Sequence, residues 1–277
     1  MTSPIKDSPG AAPRRLPRVG SMDGVDLAVL EQGRVATAAA PLPARQGPQH
    51  RLKAVWPSSW LLNITAAISG LLLALFVTVH MVGNIKVYFG PESFNAYAHW
   101  LRVVGDPLLP EMGLLWAVRL MMVAAIVAHI WSTLLIRMRG AKLKGQARKP
   151  MLRSTSFLSR LMLATGLVLM VFVIIHILDL TTGHMNGSYL SPTSTQSFAY
   201  ENLINSFERL SFALVYIVSM LALAIHLIHG IWLLATDFGV TGARTRTVWK
   251  GAAYAVGIVV ALINISIPIA VQIGALS

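Results

Sequence analysis

The chain has 277 residues, of which 55% are hydrophobic and only 12% charged, with a formal net charge of +12. So apolar a composition excludes an ordinary soluble domain and points to a membrane protein. In that class a basic excess reads as cytoplasmic loops facing anionic lipid, not as a nucleic-acid surface. Cysteine is missing altogether, which excludes disulfides and any zinc-thiolate or iron–sulfur site built from this chain alone.

Residues 1–55 are rich in Pro, Ala, Gly and Arg without sustained periodicity, and are expected to form a flexible cytoplasmic tail. Arg14, Arg15 and Arg18 suggest a transit peptide, but Asp7, Asp23, Asp26 and Glu31 oppose that reading. The first apolar segment begins near Trp56 and is long enough to span, so no secretory signal peptide is expected. Residues 56–277 are expected to form one transmembrane domain.

Five apolar stretches follow in order, roughly 60–87, 112–136, 157–180, 210–236 and 248–273. Each has the ~20 residues a helix needs to cross the hydrocarbon core. Strands are excluded because an open sheet edge cannot face lipid. The expected fold is therefore an all-α integral membrane bundle of five transmembrane helices. The segment after the second stretch carries Arg137, Arg139, Lys142, Lys144, Arg148, Lys149, Arg153 and Arg160 and no acid. Arg244, Arg246 and Lys250 add to the same side, as do Arg51 and Lys53. The positive-inside rule then puts the N-terminus in the cytoplasm and the C-terminus outside. Tyr97 and Trp100 fall in the first outer loop, where aromatic residues anchor at the interface.

Five of the eight histidines lie within the apolar stretches: His80, His129, His176, His226 and His229. Counting 1.5 Å per residue puts His80 and His176 roughly 10–12 Å outward of their helix midpoints, and His129 and His226 about 5 Å inward. The result is two pairs, one per leaflet, separated by roughly 15–18 Å along the membrane normal. Each pair joins two different helices, the arrangement needed for two six-coordinate haems with an imidazole on each side of the iron. A single intramembrane histidine is often a bundle-facing hydrogen bonder; four on four helices at two depths point to a cofactor. Gly70 and Gly166 each precede an outer histidine by ten residues, near the inner layer. There they either admit a flat macrocycle or serve close helix packing. Arg102, Arg119 and Lys86 are candidates to pair with propionates, with snorkelling to headgroups as the alternative.

His229 lies one turn inward of His226 on nearly the same face. It is read as a partner for a propionate or quinone, or as a ligand. With His226 and His129 it also leaves open the histidine end of a Rieske-type [2Fe–2S] cluster, whose cysteines would come from another subunit.

The stretch H-M-V-G-N-I-K-V-Y-F-G-P-E-S-F-N-A-Y-A-H-W-L-R from His80 to Arg102 is long and specific. With A-H-I at Ala128–Ile130, I-H-I at Ile175–Ile177, H-L-I-H-G-I-W at His226–Trp232 and D-F-G at Asp237–Gly239, it resembles the five-helix cytochrome b subunit of succinate dehydrogenases and fumarate reductases. The resemblance covers about residues 57–275. It implies a multi-pass anchor in the bacterial plasma membrane, part of respiratory complex II and not catalytic for succinate by itself. The implied partners are an FAD-containing flavoprotein and an iron–sulfur subunit, with no nucleic acid and a higher oligomer left open. Two haems b are implied, one on His80 and His176 and one on His129 and His226, with menaquinone or another quinone as substrate. The tail and His229 depart from the family pattern. An outer quinone site would draw on Glu92, Tyr97, His99 or Arg102, and an inner one on Trp56, Ser58 or Ser59. The alternatives are the cytochrome b subunit of another dehydrogenase and a histidine-bearing proton-coupled transporter.

Overall fold

The computed structural model describes residues 57–146 and 157–277. The expected tail, Trp56 and the basic residues Arg148, Lys149 and Arg153 lie outside them. The described residues are helical with connecting turns and contain no strand. In chain order they form α1 (Ser59–Asn84), a 3-10 turn (Ile85–Phe89), α2 (Gly90–Val103), α3 (Gly113–Gln146), α4 (Phe157–His176), a π turn (Ile177–Thr181), α5 (Ala199–Phe207), α6 (Leu210–Asp237) and α7 (Ala243–Gln272). Five segments are long and apolar enough to cross a membrane: Ser59–Val103, Gly113–Ala141, Leu161–Thr181, Leu210–Asp237 and Ala243–Gln272.

Local chemistry sets the helix ends. Ser58 caps α1 by accepting the Leu61 N–H at 3.2 Å, satisfying a donor the first turn leaves free. Gly239 and Gly274 follow α6 and α7 at φ 73° and 72°, a left-handed conformation that favours glycine. There Val240 N–H reaches Ala235 O and Ala275 N–H reaches Ala270 O, each at 2.8 Å. Within the helices the backbone bonds locally, apart from the break at Pro268 inside α7, so the apolar side chains can face hydrocarbon. Val79, Leu120, Val127 and Leu262 are each more than 60% exposed, an outer surface that suits lipid.

Packing places α1 and α6 at the centre. Helix α1 lies against α3, α6 and α7, and α6 lies against α4, α1 and α7. Helices α6 and α7 fit closely because Gly257 has no side chain: a Cβ there would stand 2.5 Å from Ile228 Cγ1 and 3.2 Å from the Ala224 carbonyl. Trp249 Nε1 donates to Ile231 O across the same seam, and Asn84 Nδ2 donates to Asn264 Oδ1 between α1 and α7 at 2.9 Å. Among α1, α3, α4 and α6 the neighbours are therefore α3–α1, α1–α6 and α6–α4. The pairs α1/α4 and α3/α6 lie across the bundle from one another.

One end of the bundle is capped. Helices α2 and α5 pack Phe94, Tyr200, Leu203, Ile204 and Phe207 against Tyr216, Ile267 and Val271. Asn95 stitches them, donating to Glu201 Oε2 and accepting from Tyr200 N–H, each at 2.9 Å. The region around Tyr97 and Trp100, read as loop from sequence, is therefore helix. A single ion pair occurs among the described residues, Arg209 to Asp179, with the carboxylate fully buried and the guanidinium side chain 32% exposed. Arg209→Ala would leave Asp179 buried without its counter-charge. The expected loss is roughly 2–3 kcal/mol, below the ~3–5 kcal/mol of a fully buried pair because Arg209 reaches solvent. Thermal unfolding of the purified protein in detergent checks it.

Candidate functional site

The four histidines on separate helices come together as two pairs. His80 on α1 and His176 on α4 have ring centres 6.0 Å apart, with planes at 84°. His129 on α3 and His226 on α6 have ring centres 6.4 Å apart, with planes at 67°. Both pairs are diagonals of the four-helix set, so the imidazoles reach inward from helices that are not close neighbours. Here the His80/His176 pair is termed the first layer and the His129/His226 pair the second.

Hydrogen bonds fix which nitrogen is free. His129 Nδ1 lies 3.3 Å from the Ala66 carbonyl and 3.3 Å from Ser69 Oγ. A carbonyl only accepts, so this Nδ1 carries the proton. Ser69 has spent its own proton on Thr65 O at 2.6 Å and can accept as well. His226 Nδ1 lies 3.1 Å from Thr165 Oγ1, whose hydroxyl donates to Leu161 O at 2.9 Å. His176 Nδ1 lies 3.3 Å from Tyr216 Oη, whose hydroxyl donates to Asp179 Oδ2 at 3.1 Å. In all three rings the proton sits on Nδ1, and Nε2 keeps a lone pair without a hydrogen-bond partner among the described residues. That is the tautomer and orientation of a metal-binding imidazole held by its surroundings.

The spacing fits a metal between the rings. Metal–imidazole bonds of about 2.0–2.1 Å, plus roughly 1.2 Å from nitrogen to ring centre on each side, separate two opposed ring centres by about 6.4 Å. Among the described residues no group of three or more His, Asp or Glu gathers around a common point. Two ligands per layer instead suit a cofactor that supplies the remaining ligands itself.

Gly70 and Gly166 face the second layer, and what they face is imidazole. A Cβ on Gly70 would lie 3.1 Å from His129 Cε1, and one on Gly166 would lie 3.5 Å from His226 Cε1. A pattern explains the match. Ser69–His80 reads S-G-L-L-L-A-L-F-V-T-V-H and Thr165–His176 reads T-G-L-V-L-M-V-F-V-I-I-H, identical at six of twelve positions. Each repeat gives a hydroxyl and a glycine to a second-layer histidine and, ten residues later, its own histidine to the first layer. Phe76 and Phe172, a turn before those histidines, lie 5.5 and 5.7 Å from their rings. This 96-residue offset is the signal that marks Ser69 and Thr165 as partners of His129 and His226; depth counting alone misses them.

His229 is buried, and its ring neighbour is Trp232 at 6.1 Å; the ring neighbour of His129 is His226. Tyr97 stacks on Trp100 at 6.1 Å, beneath Lys86 at 5.5 Å. Arg102 directs Nη2 at Met112 Sδ, 3.6 Å away, and has no carboxylate within salt-bridge distance among the described residues. Burial pushes the Tyr189 phenol up, against the pull of nearby Arg102 and Arg119, which places those two cations on one neighbourhood at the capped end. Ser59 is exposed at the start of α1, beside the capping Ser58. A 410 Å³ cavity at the capped end is lined by Glu92, Asn95, His99, Gln196 and Glu201 among others. It takes in Glu92 and His99 from the expected outer list; Tyr97 and Arg102 are not part of its lining.

No curated protein and no solved structure gives a significant match to the chain. The family model of the succinate dehydrogenase/fumarate reductase transmembrane subunit matches residues 142–265, from the end of α3 through most of α7. Over that stretch, which holds His176, His226 and His229, the chain is similar to the transmembrane subunits of succinate dehydrogenase and fumarate reductase.

Proposed function

We propose that the chain passes electrons from an iron–sulfur subunit to a membrane quinone, as the anchor of a succinate:quinone oxidoreductase. The observation that carries this is the pair of imidazole couples, 6.0 and 6.4 Å apart, set across one bundle at two levels. His80 and His176 would hold one haem b, and His129 and His226 a second. Bound haem supplies a one-electron carrier at each level. The protein's own work is to present Nε2, keep the proton on Nδ1 and exclude water with apolar helix faces. Arg102 and Arg119, which have no carboxylate partner among the described residues, are suited to anionic propionates at the first layer. The cavity at Glu92 and His99, at the same end, is proposed for the quinone headgroup, because it sets acid–base side chains beside an apolar bundle.

The basic segments favour a cytoplasmic α3–α4 side in a bacterial plasma membrane, where a flavoprotein and an iron–sulfur partner would dock on the second-layer side. His229 stands near that side and is proposed as a polar neighbour of the second layer. The test is purification from membranes followed by dithionite reduction. The expected result is co-purification of two larger soluble subunits and a reduced b-type spectrum with two bis-imidazole haems per chain. Iron with labile sulfide beyond that of the soluble subunit, and haem at one layer or none, would replace this reading with a mixed-ligand cluster on His129, His226 and His229.

A further inference from the structure

We propose that Tyr216 and Asp179 are positioning residues for His176, and that this carboxylate-backed phenol lowers the reduction potential of the group held at the first layer. The proposal rests on the reading of His176 as a ligand. Asp179 follows His176 by three residues, on the π turn that ends the α4 span, and π turns recur at functional sites. Its side chain is fully buried, as is Ser206, and Tyr216 is only 5% exposed. A buried carboxylate is costly unless compensated. Arg209 compensates it at Oδ1, and that contact alone would serve folding. The second oxygen is turned to other work: Oδ2 accepts from both Ser206 and Tyr216.

The phenol forms the link. Because Tyr216 gives its proton to Asp179, its oxygen is left to accept from His176 Nδ1–H. Phe172 and Phe207 close on the Tyr216 ring edge to face, at 5.1 and 4.8 Å, and shut water out. No other histidine of the two layers has such a partner. His129 and His226 bond to a carbonyl or to hydroxyls already donating along their own helices. His80 has aromatic neighbours, Phe76 and His176. A ligand N–H bonded to an oxygen that leans on a carboxylate gains imidazolate character. It donates more strongly to iron and favours the oxidised state.

The test is a potentiometric titration of the b-type absorbance in the purified complex, with the first-layer component identified by its loss in His80→Ala. Tyr216→Phe keeps the ring and removes one oxygen. It is expected to retain full haem content, to shift the first-layer midpoint upward and to leave the second-layer midpoint in place. Asp179→Asn is expected to move the same component in the same direction. Unmoved midpoints in an assembled Tyr216→Phe complex overturn the proposal, as does a shift confined to the second layer. Failure of both variants to assemble with haem also overturns it, because a purely structural network has that outcome. If the wild-type complex lacks bis-imidazole haem, the ligand reading and this proposal fall together. If it has two such haems and the variants do not shift, only this proposal falls.

Discussion

His80→Ala is expected to remove one b-type component from the reduced spectrum and to leave the other at its original midpoint. The reverse is expected of His129→Ala. Each layer takes its two imidazoles from opposite helices, and the layers share no ring. Removing one imidazole leaves an open position at one level and does not disturb Nδ1 bonding at the other. The paired variants give an internal control: His176→Ala should reproduce His80→Ala, and His226→Ala should reproduce His129→Ala. Quinone reduction driven by succinate should fall by at least about tenfold in all four, in line with the large effects of removing a metal ligand or its direct support. His229→Ala should retain both components. A spectrum in which His229→Ala costs as much as His226→Ala would show that the second layer uses a third imidazole.

Gly70→Leu is expected to abolish the second-layer component with all four histidines still present. A single added carbon at Gly70 already meets His129 Cε1 at 3.1 Å, so the rest of a leucine side chain occupies the space of the ring. His129 then has to leave its rotamer and lose its bonds to Ala66 and Ser69. Gly166 allows a finer comparison, because there the first carbon sits at an ordinary 3.5 Å from His226 Cε1. Gly166→Ala should keep the second-layer component, and Gly166→Leu should lose it. Haem content per protein, read with the reduced spectrum, separates this selective loss from a general failure to assemble.

Much of the framework was legible in the sequence because a membrane imposes strong rules. Twenty apolar residues in a row have few alternatives to a spanning helix, and five such runs appear as five helices. Counting along the helix axis levelled His80 with His176 and His129 with His226, and the rings stand 6.0 and 6.4 Å apart. Other features were hidden for physical reasons. Helices α2 and α5 are short and amphipathic, and their polar residues made 90–103 and 199–207 read as loop. Asp179 gives no local signal of its role, because nothing near it in the sequence announces that Arg209, thirty positions on, turns back to pair with it. Ser69 and Thr165 look like ordinary polar residues of a transmembrane helix. Only their shared place in the repeat, one residue before a glycine and eleven before a histidine, marks them.

That repeat has a consequence for assembly. Helices α1 and α3 form one half of the bundle and α4 and α6 the other, yet each layer draws one imidazole from each half. Neither half can complete a ligand set alone. On the proposed reading, a group bound at either layer would brace the two halves and add its binding free energy to their association. The bundle's resistance to unfolding would then, on the same reading, rise with cofactor supply.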